Sequence, residues 1–209
     1  MNKLKQLIRY VRYMLIWLFV EKPRGIDFHM RQKKIGIHSD LNNGYSLSPG
    51  RAVVPALKRI NACKYDCLID IGCGKGGVLY KATKFDLKRI AGVEIEKNIF
   101  DIAVKNFRKL KLSHRIELYN YDALDFEDYY KFNIFYLFNP FPLEIYRQII
   151  FKIIDAAEYR AEKDRIYIIC YGLCDEKTIM ESGKFVLYDS FVDDEKNKPV
   201  RIYQYKNFN

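Results

Sequence analysis

The sequence predicts an α/β architecture, a seven-stranded and mostly parallel sheet with helices on both faces, preceded by a helical arm. Three observations carry this expectation. Short apolar runs alternate with helical patterns from residue 66 to residue 182. Runs such as Cys67–Ile71 and Phe132–Phe138 are apolar at nearly every position, as parallel strands buried on both faces are. The first of them ends in a glycine-rich turn, Gly72-Cys-Gly-Lys-Gly-Gly77, that opens directly on a helical pattern. A length of 209 residues with 49% apolar content suits one domain with an appendage.

Residues 3–20 read as the helix of the arm. Leu4, Leu7, Ile8, Val11, Leu15 and Leu18 recur at helical spacing, with Lys5, Arg9 and Arg12 on the opposite face. From Tyr13 to Val20 the pattern is apolar all round, which is far short of the ~20 residues that span a bilayer. No small-residue cleavage site follows, so a secretory signal is not expected. The helix packs on its own domain or a partner protein, or it lies on an anionic membrane surface. The expected location is cytoplasmic, and in the membrane reading of the helix peripheral at the inner face of the membrane.

The net charge of +10 is concentrated in this arm. Residues 1–34 hold nine basic residues against two acids, leaving only +3 for the rest. No basic stripe with interleaved aromatics runs along the main domain, which disfavours a nucleic-acid partner. The five cysteines form no C-x-x-C pair and only three histidines are present, which disfavours both a disulfide framework and a metal site.

Residues 21–50 carry turn chemistry, with Pro23, Gly25, Gly36, Asn42-Asn43-Gly44 and Pro49-Gly50. Residues 1–44 are therefore the arm and basic loop, and 45–209 the main domain. Tyr45 lies just ahead of a helix expected at Arg51–Ile60. It is a candidate lid over a ligand, or else part of a connector packed on the core.

The remaining elements follow in alternation. Strands are expected at Cys67–Ile71, Arg89–Ile95, Arg115–Tyr121, Phe132–Phe138 and Arg165–Gly172. Helices are expected at Val78–Phe85, Lys97–Leu112, Leu143–Ala161 and Glu176–Ser182. Phe185–Phe191 and Arg201–Tyr205 form a closing hairpin. Ligands of such sheets bind outside the carboxyl ends of the strands. There the first strand delivers Asp70 and the glycines, the second Glu94, the third Asp122, and the fourth Asn139 followed by Pro140. An acid before the glycine turn suits a ligand with hydroxyls or a cationic centre. Glu94 is placed to accept from ribose hydroxyls, and Asp122 from the exocyclic amine of a base. Cys73 reads as a small buried filler.

With these residues in order, Leu68-Ile-Asp-Ile-Gly-Cys-Gly-Lys-Gly76 resembles the first motif of class I S-adenosylmethionine-dependent methyltransferases. Gly92-Val-Glu-Ile95, Tyr121-Asp-Ala-Leu124 and Phe138-Asn-Pro-Phe141 resemble the next three. More narrowly, the chain is similar to small bacterial members with an Asn-Pro-Phe motif, distantly related to the non-SET histone lysine methyltransferases. The resemblance implies a Rossmann-like fold and S-adenosyl-L-methionine as cofactor. It implies that Asp70, Gly72, Gly74 and Gly76 cradle the methionyl part, Glu94 the ribose, and Asp122 and Ala123 the adenine. Asn139, Pro140 and Phe141 would face the methyl acceptor, with Tyr45 over the cofactor.

The sulfonium methyl is already activated, so positioning carries most of the catalysis. Asn139 and the Pro140 carbonyl suit an amine of a protein or small molecule. Phe141 stands one place earlier than the aromatic of amino-group methyltransferases, which leaves a sugar or glycan hydroxyl equally open. No histidine is placed as a base. Two other functions fit parts of the pattern. Gly72-x-Gly74-x-x-Gly77 with Glu94 also satisfies the fingerprint of an NAD-dependent oxidoreductase. A non-catalytic binding module docked at a membrane would keep the fold alone.

Overall fold

The computed structural model describes residues 3–29, 50–138, 142–160, 165–172, 175–193 and 197–206. Within them, strands β1 (Cys67–Ile71), β2 (Arg89–Val93), β3 (Glu117–Tyr119), β4 (Ile134–Leu137) and β5 (Tyr167–Tyr171) run parallel. Strands β6 (Phe185–Asp193) and β7 (Lys198–Tyr205) form a hairpin, and β7 lies antiparallel to β5. The sheet order is β3-β2-β1-β4-β5-β7-β6. Adjacent strands β1 and β4 therefore lead their chains off in opposite directions across the sheet, which opens a crevice above their carboxyl ends.

All five residues of β1 are buried, as are the four of β4 and the five of β5. Their side chains alternate between two cores, because successive strand residues point to opposite faces. Leu68, Ile134, Tyr136, Ile169 and Tyr171 pack with helices α2 (Val53–Arg59), α3 (Gly77–Ala82) and α4 (Lys97–Lys109). Ile69, Ile71, Phe135, Leu137 and Ile168 pack with α5 (Leu143–Arg160) and α6 (Glu176–Glu181). Truncating one such residue to alanine costs about 2–5 kcal/mol.

The element order agrees with the sequence expectation, and the differences lie at the ends. Strands β2 and β3 are shorter than expected: after the backbone bond from Glu94 N to the Tyr119 carbonyl at 3.0 Å, Asn120 Nδ2 donates to the carbonyls of Glu94 and Ile95, at 2.7 and 3.1 Å. A single helical turn at Asp128–Lys131 has no counterpart in the expectation, since one turn is too short to show periodicity. At the amino ends of the strands, Asn133 ties three of them together. Its Oδ1 accepts from Cys67 N, and its Nδ2 donates to Asp66 Oδ1 and the Arg165 carbonyl.

The arm is longer than the sequence suggests. Helix α1 (Lys3–Ile16) widens into a π turn through Glu21, continues as a tight turn to Arg24, and ends at Gly25 with φ of 68°. The chain then folds back. Glu21 is buried and its carboxylate accepts from Phe28 N at 3.0 Å, His29 N at 3.1 Å and His29 Nδ1 at 2.5 Å. Ile26 and Phe28 enter the core beside α3 and α4, with Phe28 stacked on Tyr80 at 5.2 Å. The expected boundary between residues 44 and 45 lies outside the described residues.

Candidate functional site

The carboxyl rim of β1 and β2 is shaped by glycines. Gly72, Gly74 and Gly76 all have φ between 56° and 84°, where a side chain is strained. Gly76 has a second constraint, because a Cβ there would sit 2.5 Å from the Phe107 ring. Gly72 N and Cys73 N both donate to the Val93 carbonyl at 2.9 Å, which fastens the turn to the end of β2. From there the chain enters α3.

Glu94 completes the turn from the neighbouring strand. Its Oε2 accepts from Gly74 N at 2.8 Å and its Oε1 from Glu96 N at 2.9 Å. A carboxylate has about four lone-pair positions, so acceptor capacity remains for hydroxyl donors. Asp70 lies one strand away, at the end of β1 between Gly92 and Tyr136.

Both carboxylates are buried, and among the described residues neither pairs with a lysine or arginine. Burial pushes the Asp70 carboxyl well above the usual range, and the charge of Glu94 adds to the shift. Burial also raises Glu94, against the backbone N–H groups that favour its charged form. Such a pair stores unfavourable electrostatic energy that a bound cation relieves. Cys73, buried beside them, is pushed up by burial and by both acids, so its thiol is no nucleophile.

The rest of the expected site divides. Asp122 follows β3, where its Oδ1 accepts from Leu124 N at 2.9 Å and shapes the turn. Ala123 is buried beneath it, its carbonyl accepting from Tyr129 OH at 2.9 Å. Phe138 ends the rim of β4 and stacks on Tyr171 at 4.6 Å. Tyr45, Asn139, Pro140 and Phe141 lie outside the described residues. The structure thus brings together Asp70, Gly72, Gly74, Gly76 and Glu94, with Asp122 and Ala123 on the next strand end.

Three contributors escape sequence reasoning. Lys75, inside the turn, is fully buried and pairs with Asp27 of the arm at 2.6 Å. Asn106 on α4 donates to the carbonyls of Lys75 and Asp27, and its Oδ1 accepts from Asp27 N. Asn120 ties the ends of β2 and β3. A lysine in a polar turn carries no sign that it will be buried, and Asp27 is 48 positions away.

No family profile matches this chain. Over 78 residues it is 32% identical to a probable cobalt-precorrin-6B C(15)-methyltransferase (decarboxylating) of Methanococcus vannielii, a stretch covering 37% of this chain and 42% of that protein. Over 113 residues, 54% of this chain and 42% of the relative, it is 27% identical to an rRNA adenine N-6-methyltransferase of Clostridium perfringens. The chain therefore spans well under two thirds of the length of these relatives. An RNA methyltransferase from Salinibacter ruber, solved with S-adenosyl-L-homocysteine, superposes with a TM-score of 0.56 over 76% of this chain and 92% of that one, at 14% identity. A human methyltransferase 10 domain containing protein gives 0.62 over 98% of both chains, also at 14% identity. The fold is the Rossmann-like fold of these methyltransferases.

Proposed function

We propose that the chain transfers a methyl group from S-adenosyl-L-methionine to an acceptor. One observation carries the reading: two buried carboxylates, Asp70 and Glu94, which pair with no lysine or arginine among the described residues, stand at a turn of positive-φ glycines. A cationic nucleoside suits that arrangement. A dinucleotide pyrophosphate suits it less, because the buried acid Asp70 stands beside the turn and the turn's lysine is already engaged by Asp27.

When bound, the cofactor supplies an electrophilic methyl on sulfur. In this reading Asp70 and the glycines hold the methionyl end, and Glu94 accepts from the ribose hydroxyls. Asp122 and Ala123 border the adenine. Asn139, Pro140 and Phe141 orient the acceptor, and Tyr45 covers the cofactor. Residues 45–209 form the cofactor-binding unit and 1–44 its appendage.

The acceptor class is broader than charge alone suggests. An amine or a sugar hydroxyl fits Asn139-Pro-Phe141, the motif that links the chain to small bacterial methyltransferases akin to the non-SET histone lysine group. The relatives named for RNA add nucleic acid, against the expectation drawn from the weakly charged domain. Thermal shift tests the cofactor. S-adenosylhomocysteine is expected to raise Tm in proportion to its saturation, and NADH to leave it unchanged. The reverse pattern contradicts the proposal. Transfer of labelled methyl to fractionated RNA, protein or glycan then identifies the acceptor.

A further inference from the structure

Helix α1 turns a wide apolar face away from the body of the protein. Its inner side is anchored, with Tyr13 buried edge-on to His29 at 5.2 Å and Glu21 buried under the bonds described above. Its outer side presents Leu7, Ile8, Val11, Leu15, Leu18 and Phe19, which helical spacing gathers on one face. All are exposed, from 39% for Val11 and Leu18 to 69% for Phe19. A contiguous apolar surface of this kind marks a place where another phase or molecule covers it.

Charge selects the occupant. Residues 1–24 hold six basic residues, Lys3, Lys5, Arg9, Arg12, Lys22 and Arg24, against the single acid Glu21. That acid is buried against His29, so it offers the surface no negative charge. A covering partner must be apolar in depth and anionic at its surface. A second copy of this chain fails this requirement, because it brings the same positive charge. Among the described residues no helix is long and apolar enough to cross a membrane. A helix with one apolar face and basic flanks lies in the plane of the interface instead.

From this we infer that residues 3–21 lie in the headgroup region of an anionic lipid bilayer, apolar face down. Glu21 ties the helix to Phe28 and His29 within the arm, Ile26 and Phe28 enter the core of the body, and Asp27 pairs with Lys75 of the glycine turn. The candidate site is therefore tethered to the membrane surface through residues 26–28.

Co-sedimentation of the full chain with vesicles tests this. Vesicles of phosphatidylcholine and phosphatidylglycerol are expected to carry the protein down, more weakly as salt is raised, and phosphatidylcholine alone much less. The double variant Leu7→Glu/Leu18→Glu is expected to lose partitioning by about tenfold or more while keeping its Tm. Protein that stays in the supernatant with anionic vesicles overturns the inference. Equal binding to neutral vesicles, or by the variant, overturns it too. So does a lipid-free dimer in sedimentation equilibrium that the variant dissociates, since a second copy would then cover the face.

Discussion

The backbone N–H of Gly74 donates to Glu94 Oε2 at 2.8 Å, so the acid at the end of β2 holds the turn at the end of β1. Glu94 thus shapes the turn, and in the proposed function it also accepts from the ribose hydroxyls. Glu94→Gln leaves one carbonyl oxygen for two N–H donors that now use separate carboxylate oxygens. The expected cost is about 1 kcal/mol in stability and tenfold or more in cofactor affinity. Denaturant melts and binding isotherms on the same variant check both numbers.

Asp70 predicts effects of opposite sign. Burial and Glu94 disfavour its charge in the ligand-free protein. Asp70→Asn is expected to raise Tm near neutral pH while lowering affinity for a cationic cofactor about ten- to hundredfold. A variant that loses stability and binding together contradicts this account of the site.

The same acid sets a pH dependence. Its folded pKa lies above the unfolded one, so the folded state keeps the proton to higher pH. Stability of the ligand-free chain is expected to fall as pH rises from the ordinary carboxylate range through the raised value. Affinity for the cofactor moves the other way and increases over that range. Tm and Kd measured across pH, with Asp70→Asn as the flatter control, separate these trends.

Gly76 is constrained both by its φ of 84° and by the Phe107 ring. Gly76→Ala is expected to cost about 2–4 kcal/mol. Phe107→Leu removes the two clashing ring atoms but not the strain at φ. In the double variant the alanine's cost is expected to shrink by about 1–2 kcal/mol without vanishing. Purely additive energies would mean that the ring contact is unimportant.

The Asp27–Lys75 pair is asymmetric, with the lysine side chain 1% exposed and the aspartate 27%. Asp27→Asn removes the anionic partner of a buried cation and is expected to cost about 2–4 kcal/mol. Lys75→Met leaves only a half-exposed acid and is expected to cost about 1 kcal/mol or less. Chemical denaturation of the two variants measures the difference, and equal losses would refute the asymmetry.

Much of this was legible in the sequence. The almost wholly apolar runs of β1, β4 and β5 declare strands buried on both faces, and the spacing from Asp70 to Glu94 fits one helical crossover. The glycine turn shows itself because positive φ leaves few other residues. What was illegible depends on contacts between distant parts of the chain. Nothing local in Lys75 indicates burial, because Asp27 and Asn106 create its pocket only after folding. The tie at the end of β2 comes from Asn120, a side chain 26 positions away. The apolar residues of α1 read either as a packing face or as a membrane face, and the structure leaves Leu7, Leu15 and Phe19 exposed.

The proposed function stands on Asp70 and Glu94 as a site for a cationic nucleoside. Titration calorimetry with S-adenosylmethionine and S-adenosylhomocysteine on cofactor-stripped, folded protein tests this. One site per chain is expected, with S-adenosylmethionine weakened about ten- to hundredfold by Asp70→Asn. Absence of heat with both ligands, or equal affinity in the wild type and Asp70→Asn, would contradict it.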